Sequence, residues 1–424
     1  MEYISFHHRA TITSVICRLS VSSNKELAME LDSALSFLKD RTILITGATG
    51  FLAKIFVEKI LRVQPNVKKL FLLLRAEDTT TARQRLNYEV LGKELFTVLK
   101  EKYGERWNGL VSERVKVVAG DISLEDLGIK DSNLLDLLWR EVDAVVNLAA
   151  TTNFDERAKA YGWPNTYVFT KAMGEMLLGK SRDNVPLVII RPTIVTSTYK
   201  EPFPGWIEGL RTVDSLAVAY GKGNITCFPG DPEIIMDVIP SDMVVNAMIV
   251  AMVAHADQQG TESIYHVGSS MSNPVEFKAL QKFVYNYFTH HPWINKDGKP
   301  ILVGEITVLS SVEIFERYMF IHYLIPLKGL EMVNKACCQY FQRVYDETHK
   351  KIRVMMRMVE LYRPYAFFKG VYDDMNTEKL RRATKEENIE TDLFYFDPKI
   401  VNWEDYFIKT HFPGVMKYVF KIRN

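Results

Sequence analysis

Thr42-Ile43-Leu44-Ile45-Thr46 runs directly into Gly47-Ala48-Thr49-Gly50-Phe51-Leu52-Ala53, and this stretch decides the fold. The apolar run predicts a short strand over Arg41–Thr46, and the spacing after Gly50 predicts a helix to about Arg62. Strand, glycine turn and helix start together make a dinucleotide-binding arrangement. Gly47 permits the tight turn, and Gly50 lets backbone approach a pyrophosphate. Thr49, Phe51 and Leu52 complete the candidate cofactor-binding turn, where helix N–H groups face phosphate. Ala53 stands where the pattern admits Gly or Ala for close helix–strand packing.

Outward from this turn the same unit repeats. A second strand, Leu70–Leu74, ends in Arg75. An NAD site usually places Asp or Glu there for the ribose 2′-hydroxyl, whereas arginine suits the 2′-phosphate of NADP(H). A third strand, Val115–Val118, leads to Gly120-Asp121, placing Asp121 to meet the adenine edge. A fourth, Val142–Leu148, closes into Ala149-Ala150, small enough for a cofactor to lie across the sheet edge. The fold class expected is α/β: a Rossmann-like, doubly wound parallel sheet with a smaller, mainly helical C-terminal domain.

Tyr167 and Lys171 form a Tyr-x-x-x-Lys pair ahead of the strand Pro186–Arg191. Positions four apart share one helix face, so the ammonium lies near the phenol and the nicotinamide ribose. A nearby lysine charge favours the phenolate and suits Tyr167 to donate a proton to a developing alkoxide. Pro192 follows, positioned to shape the loop over the nicotinamide.

The composition is that of a globular protein: 424 residues, 47% hydrophobic, 25% charged. A net charge of +1 gives no reason to expect nucleic acid or an acidic membrane as the main partner. Cys17, Cys227, Cys337 and Cys338 lack metal-like spacing, and the adjacent pair reads as reduced thiols. His290-His291 reads as a surface turn, and no metal site is expected. No apolar run reaches the roughly 18–20 residues of a bilayer span. Val244–Ala256 reads as a buried helix, while His322, Pro326 and Lys328 break Tyr318–Leu330.

Several long strings look like plant alcohol-forming fatty acyl-CoA reductases. They are Gly47–Ala53, Val57–Pro65 (Val-Glu-Lys-Ile-Leu-Arg-Val-Gln-Pro), Asn147–Arg157 (Asn-Leu-Ala-Ala-Thr-Thr-Asn-Phe-Asp-Glu-Arg), Tyr161–Glu175 and Pro202–Gly209 (Pro-Phe-Pro-Gly-Trp-Ile-Glu-Gly). The resemblance runs from about residue 29 to the end. It implies NADPH as cofactor, a long-chain acyl-CoA substrate, and two reductions through an aldehyde to a primary alcohol. It also implies Tyr167 as proton donor, Lys171 as ribose ligand, and a C-terminal part, Glu331–Lys421, that helps accommodate the acyl chain. Peripheral membrane contact fits such a substrate.

The sequence departs from that pattern at one place. Only about 17 residues separate Ala149 from Tyr167, too few for a crossover helix, a fifth strand and their loops. A block after Arg157 is therefore missing, and with it the strand that carries the family's catalytic Ser or Thr. Thr151, Thr152 and Thr166 are the remaining hydroxyls. Two geometries follow. The favoured one moves Leu187–Ile190 in beside the fourth strand, displacing Tyr167 by about one strand spacing, near 4.8 Å; the other leaves the outer strand in place beside a gap. The functional alternatives are a catalytically impaired paralogue that binds NADP(H) or acyl-CoA without turnover, and a dehydrogenase or epimerase of another substrate class.

Four segments are expected: 1–28, an extension or targeting-like segment; 29–270, the NADP(H)-binding domain; 271–330, a connecting or substrate region; and 331–424, the C-terminal domain. Residues 1–28 read either as sequence upstream of a start at Met29 or as a plastid transit peptide; the former goes with a cytoplasmic, endoplasmic-reticulum-associated protein. Ser241–Ala254 predicts a helix capped by Ser241 or Asp242. The Met-rich face of Lys350–Tyr362 predicts core packing.

Overall fold

The computed structural model describes residues 32–150, 163, 166–181, 183–386 and 393–422. The extension 1–28 and the candidates Thr151 and Thr152 lie outside these residues. Strands β1 (Thr42–Thr46), β2 (Lys69–Arg75), β3 (Val115–Gly120) and β4 (Ala144–Asn147) form a parallel sheet in the order β3-β2-β1-β4. All of β1 is buried, as is β2 between its ends. That near-continuous apolar character is required of parallel strands covered on both faces. On one face Leu44, Phe71, Leu73 and Val118 pack with Leu138 of helix Ser132–Glu141.

The glycine-turn helix, Phe51–Val63, is buried from Phe51 to Leu61 because it packs on helix Ser241–Ala254. The latter is apolar all round and buried through Val253, as its sequence indicates. Its polar interruption, Asn246, donates through Nδ2 to the Tyr395 carbonyl at 2.8 Å. The expected cap is corrected: Pro240 holds the cap position, with no side-chain bond. Asp242 instead accepts the backbone N–H groups of Tyr199, Lys200 and Glu201 at 2.7–2.9 Å, which needs its carboxylate turned away from the helix start.

Beyond β4 the chain forms β5 (Leu187–Pro192), β6 (Ile194–Thr196), β7 (Cys227–Pro229), β8 (Val238–Pro240), β9 (Glu262–Val267) and β10 (Thr307–Leu309). The favoured arrangement of the outer strand is corrected by their pairing. β5 does not move in beside β4 but pairs in parallel with β9, and β6 pairs likewise with β8. Among the described residues no strand lies between β4 and β5. Helix Ser241–Ala254 explains this, because it packs on β5, β6 and β8 as well as on the glycine-turn helix. Sliding β5 by a strand spacing would unpack a helix buried along its whole length.

The chain divides into two compact units interleaved in sequence. One lies within Met1–Ile207, Val238–Ser272 and Tyr372–Ile400, and holds β1 to β6, β8 and β9. The other lies within Glu208–Asp237, Asn273–Val371 and Val401–Asn424, and is mainly helical. There β7 pairs with β10. Ile352, Met355 and Val359 of helix Gln342–Ala366 enter a core with Cys227, Phe315 and Met319, so the Met-rich face packs inward as its pattern predicts. His290 and His291 each turn Nδ1 to a carbonyl four residues back, at a helix end. No helix among the described residues is long and apolar enough to cross a membrane.

Candidate active site

The carboxyl ends of β1 and β4 meet at Gly47. Its φ of +65° is in the left-handed region, and a Cβ there would lie 2.6 Å from the Ala149 nitrogen. No side chain fits between the turn and the end of β4. Gly50 caps the glycine-turn helix without a side chain, whereas Asp78, Asp131 and Ser311 cap later helices through their oxygens. The leading N–H groups of the glycine-turn helix are thus without a side-chain cap, as an anion site at a helix start requires. Thr49 lies in the turn; Leu52 is buried, and Phe51 stacks on Trp206 with ring centroids 5.2 Å apart.

Arg75 is the exposed last residue of β2, in register with Gly120 of β3. Asp121 follows, its Oδ1 accepting the Ser123 N–H at 2.9 Å and the Ser123 hydroxyl at 2.8 Å. Those bonds, with the Arg75 charge, hold its carboxyl below the usual range. A cradle too tight for any Cβ, an uncapped helix start and a basic strand end fit a dinucleotide.

Helix Thr166–Ser181 carries Tyr167 and Lys171, 5% and 6% exposed. Lys171 Nζ donates to the Ala149 carbonyl at 3.1 Å. Ala149 therefore brings two of the expected residues together, with Gly47 against its nitrogen and Lys171 on its oxygen. Burial pushes the Lys171 ammonium down to about 8, opposed by the charge of Glu175. A buried cation on one face with a tyrosine one turn away can stabilise a phenolate and so move a proton at the phenol oxygen. Pro192 ends β5 opposite Val267, and Thr193 N–H bonds the Val267 carbonyl at 3.0 Å.

Sequence reasoning missed three residues beside this pair. Glu175 is 7% exposed and takes Arg191 of β5 through Nη2 at 2.5 Å and Nε at 3.2 Å. Arg191 Nη1 in turn lies 3.4 Å from His266 Nε2 of β9. The available signal was a glutamate four residues after Lys171, on the same helix face.

Two family models described as Male sterility protein match this chain, an NAD-binding one at residues 45–161 and 155–248 and a second at 322–422. An alcohol-forming fatty acyl-CoA reductase of Simmondsia chinensis is 46% identical, over 92% of this chain and 99% of that protein. This chain belongs to the fatty acyl-CoA reductase family. Its alignment with the Simmondsia protein runs over 489 positions, more than its own 424 residues, so that relative has many positions that this chain lacks. The two parts of the NAD-binding match overlap at 155–161, within the short connection between Ala149 and Tyr167. Putative fatty acyl-CoA reductase 7 of Arabidopsis thaliana, 41% identical over 89% of this chain and 98% of its own length, aligns over only 406 positions. Relatives without so long an extra stretch therefore exist. Among solved structures, a reductase domain of a non-ribosomal peptide synthetase from Mycobacterium tuberculosis superposes with a TM-score of 0.53 at 16% identity, covering 90% of this chain and 95% of that one. At that identity the likeness is one of fold.

Proposed function

We propose that this fatty acyl-CoA reductase reduces long-chain acyl-CoA, through the aldehyde, to a primary alcohol with NADPH, using Tyr167 and Lys171. The observation that carries the reading is the buried Tyr167–Lys171 helix face, joined through Ala149 to the glycine turn. NADPH, when bound, would supply one hydride for each of the two reductions, and the carbon–sulfur bond breaks between them, CoA leaving as the free thiol. The glycine turn and the helix start hold the diphosphate, Arg75 the 2′-phosphate, and Asp121 the adenine edge. Lys171 holds the ribose and keeps positive charge beside Tyr167. Tyr167 gives its phenolic proton to the substrate oxygen as negative charge builds there, and Lys171 stabilises the phenolate left behind.

We place the protein on the cytoplasmic side of the endoplasmic reticulum as a peripheral protein. Phe320, Ile321, Leu324 and Ile325 are exposed along one helical stretch between Arg317 and Lys328, and no acid lies between Glu316 and Glu331. An apolar strip with a basic rim suits an anionic lipid surface.

The test is expression in yeast with analysis of long-chain primary alcohols. Alcohol is expected, and Tyr167→Phe should abolish it while NADPH still binds. Alcohol that survives Tyr167→Phe rejects this assignment. Tight NADPH binding with no alcohol at all supports the second reading, a binding protein without turnover, which the missing block favours.

A further inference from the structure

The buried ion pair next to Lys171 joins helix Thr166–Ser181 to β5. Glu175 stands one helical turn after Lys171 and is itself buried. Its Oε2 receives both Nη2 and Nε of Arg191, so the carboxylate is gripped side-on by the strand against which the helix packs. Arg191 is gripped from behind as well. His266 Nδ1 lies 2.8 Å from the Asp373 carbonyl, which can only accept, so that nitrogen carries the proton. The Nε2 lone pair then faces Arg191 Nη1.

We propose that Glu175 is a positioning residue: its carboxylate, clamped by Arg191 and backed by His266, keeps the Lys171 ammonium charged and in place. The inference rests on the roles given above to Tyr167 and Lys171. The titratable groups placed about the clamp are counted among the described residues. Tyr167 and Lys171 lie on its own helix, Arg191 on β5 and His266 on β9; the Glu262 carboxylate approaches Gly179, one turn further on. Of these, Glu175 and Glu262 are the anions, and Glu175 is the nearer in the chain to Lys171. Burial works against the Lys171 charge, and Glu175 is the charged neighbour that opposes it. A clamp from β5 also prevents the carboxylate from collapsing onto the ammonium and drawing it off the ribose position.

The experiment reads Lys171 directly, without turnover. Full-length protein is labelled with trace acetic anhydride across a pH series, and the peptide carrying Lys171 is quantified by mass spectrometry against surface lysines of the same digest. In Glu175→Gln the Lys171 labelling midpoint should fall by about one pH unit. Glu175→Asp should keep it near the parent, and Arg191→Gln should not lower it. A purely structural role predicts otherwise: loss of order in every variant and no opposite behaviour of the two partners. An unmoved midpoint in Glu175→Gln, or an equal fall in Arg191→Gln, overturns the proposal. Removing one member of a buried pair can unfold a domain. If circular dichroism shows that, the double variant Glu175→Gln/Arg191→Gln, which leaves no unpaired charge, takes its place. With the cation gone as well its midpoint should fall by less than in Glu175→Gln, and a midpoint raised above the parent's overturns the idea. Should Tyr167→Phe leave alcohol production intact, the labelling result stands apart and still judges the clamp.

Discussion

At the carboxyl end of β2 a guanidinium stands where an acid would hold an unphosphorylated ribose. Arg75 is exposed and touches the electrostatics of Asp121, so its charge is available at the adenosine end of the site. A charge-assisted hydrogen bond contributes about 1.5–3 kcal/mol, roughly 10- to 100-fold in affinity. Purified protein should therefore bind NADPH that much more tightly than NADH, read by quenching of intrinsic fluorescence. Arg75→Glu should reverse the order. Equal affinity of the parent for both cofactors would leave Arg75 as a solvated strand end. The places of Gly47 and Arg75 were legible in the sequence because each lies at a strand end. Glu175 was not, since its partners Arg191 and His266 are distant in the chain and reach it only through the sheet.

Among the elements, the glycine-turn helix carries an unexpected charge cluster into the core. Glu58 and Lys59 are buried; Arg62 meets Glu58 at 2.9 Å and Glu201 at 2.6 Å, and Lys59 also bonds Glu201. Burial pushes the Glu58 carboxyl up to about 7, against the pull of Arg62. The folded state thus keeps a proton up to about pH 7 that the unfolded chain releases near its ordinary value of 4.5. Stability from this group should be fully present below pH 4.5 and fall as pH rises to 7, by up to roughly 3 kcal/mol. Urea unfolding across that window should show the slope in the parent and a flatter line in Glu58→Gln. Parallel lines would mean that Glu58 titrates normally. The periodicity of this helix exposed its apolar face, but only the tertiary structure, which brings Glu201, the Leu393 carbonyl and the Phe394 ring to Lys59, shows that Glu58 and Lys59 are buried too.

On the scale of the molecule, the short connection from Ala149 to Tyr167 is where the resemblance implies a further strand with a Ser or Thr donor, and β5 stays where helix Ser241–Ala254 packs on it. Loss of one preorganised donor costs about 100- to 1000-fold in turnover. Acyl-CoA reduction by this chain should be that much slower than by a full-length relative, with NADPH affinity unaffected. Inserting the relative's stretch between Arg157 and Ala158 should recover the rate, measured as NADPH consumed with acyl-CoA. Turnover already equal to that of a full-length relative would show that another hydroxyl fills the role.

Contiguous residues were enough to specify the parallel sheet, the glycine turn, the Tyr167–Lys171 helix face, the buried Ser241–Ala254 helix and the family. The spacing and backbone demands behind each of these are local. Three outcomes came instead from packing: β5 pairs with β9 rather than β4, Asp242 holds the Tyr199–Glu201 backbone instead of capping its helix, and Arg191 grips Glu175. Those outcomes depend on which distant elements share a buried surface, and a helix packed on both sides outweighs the shortness of the connection.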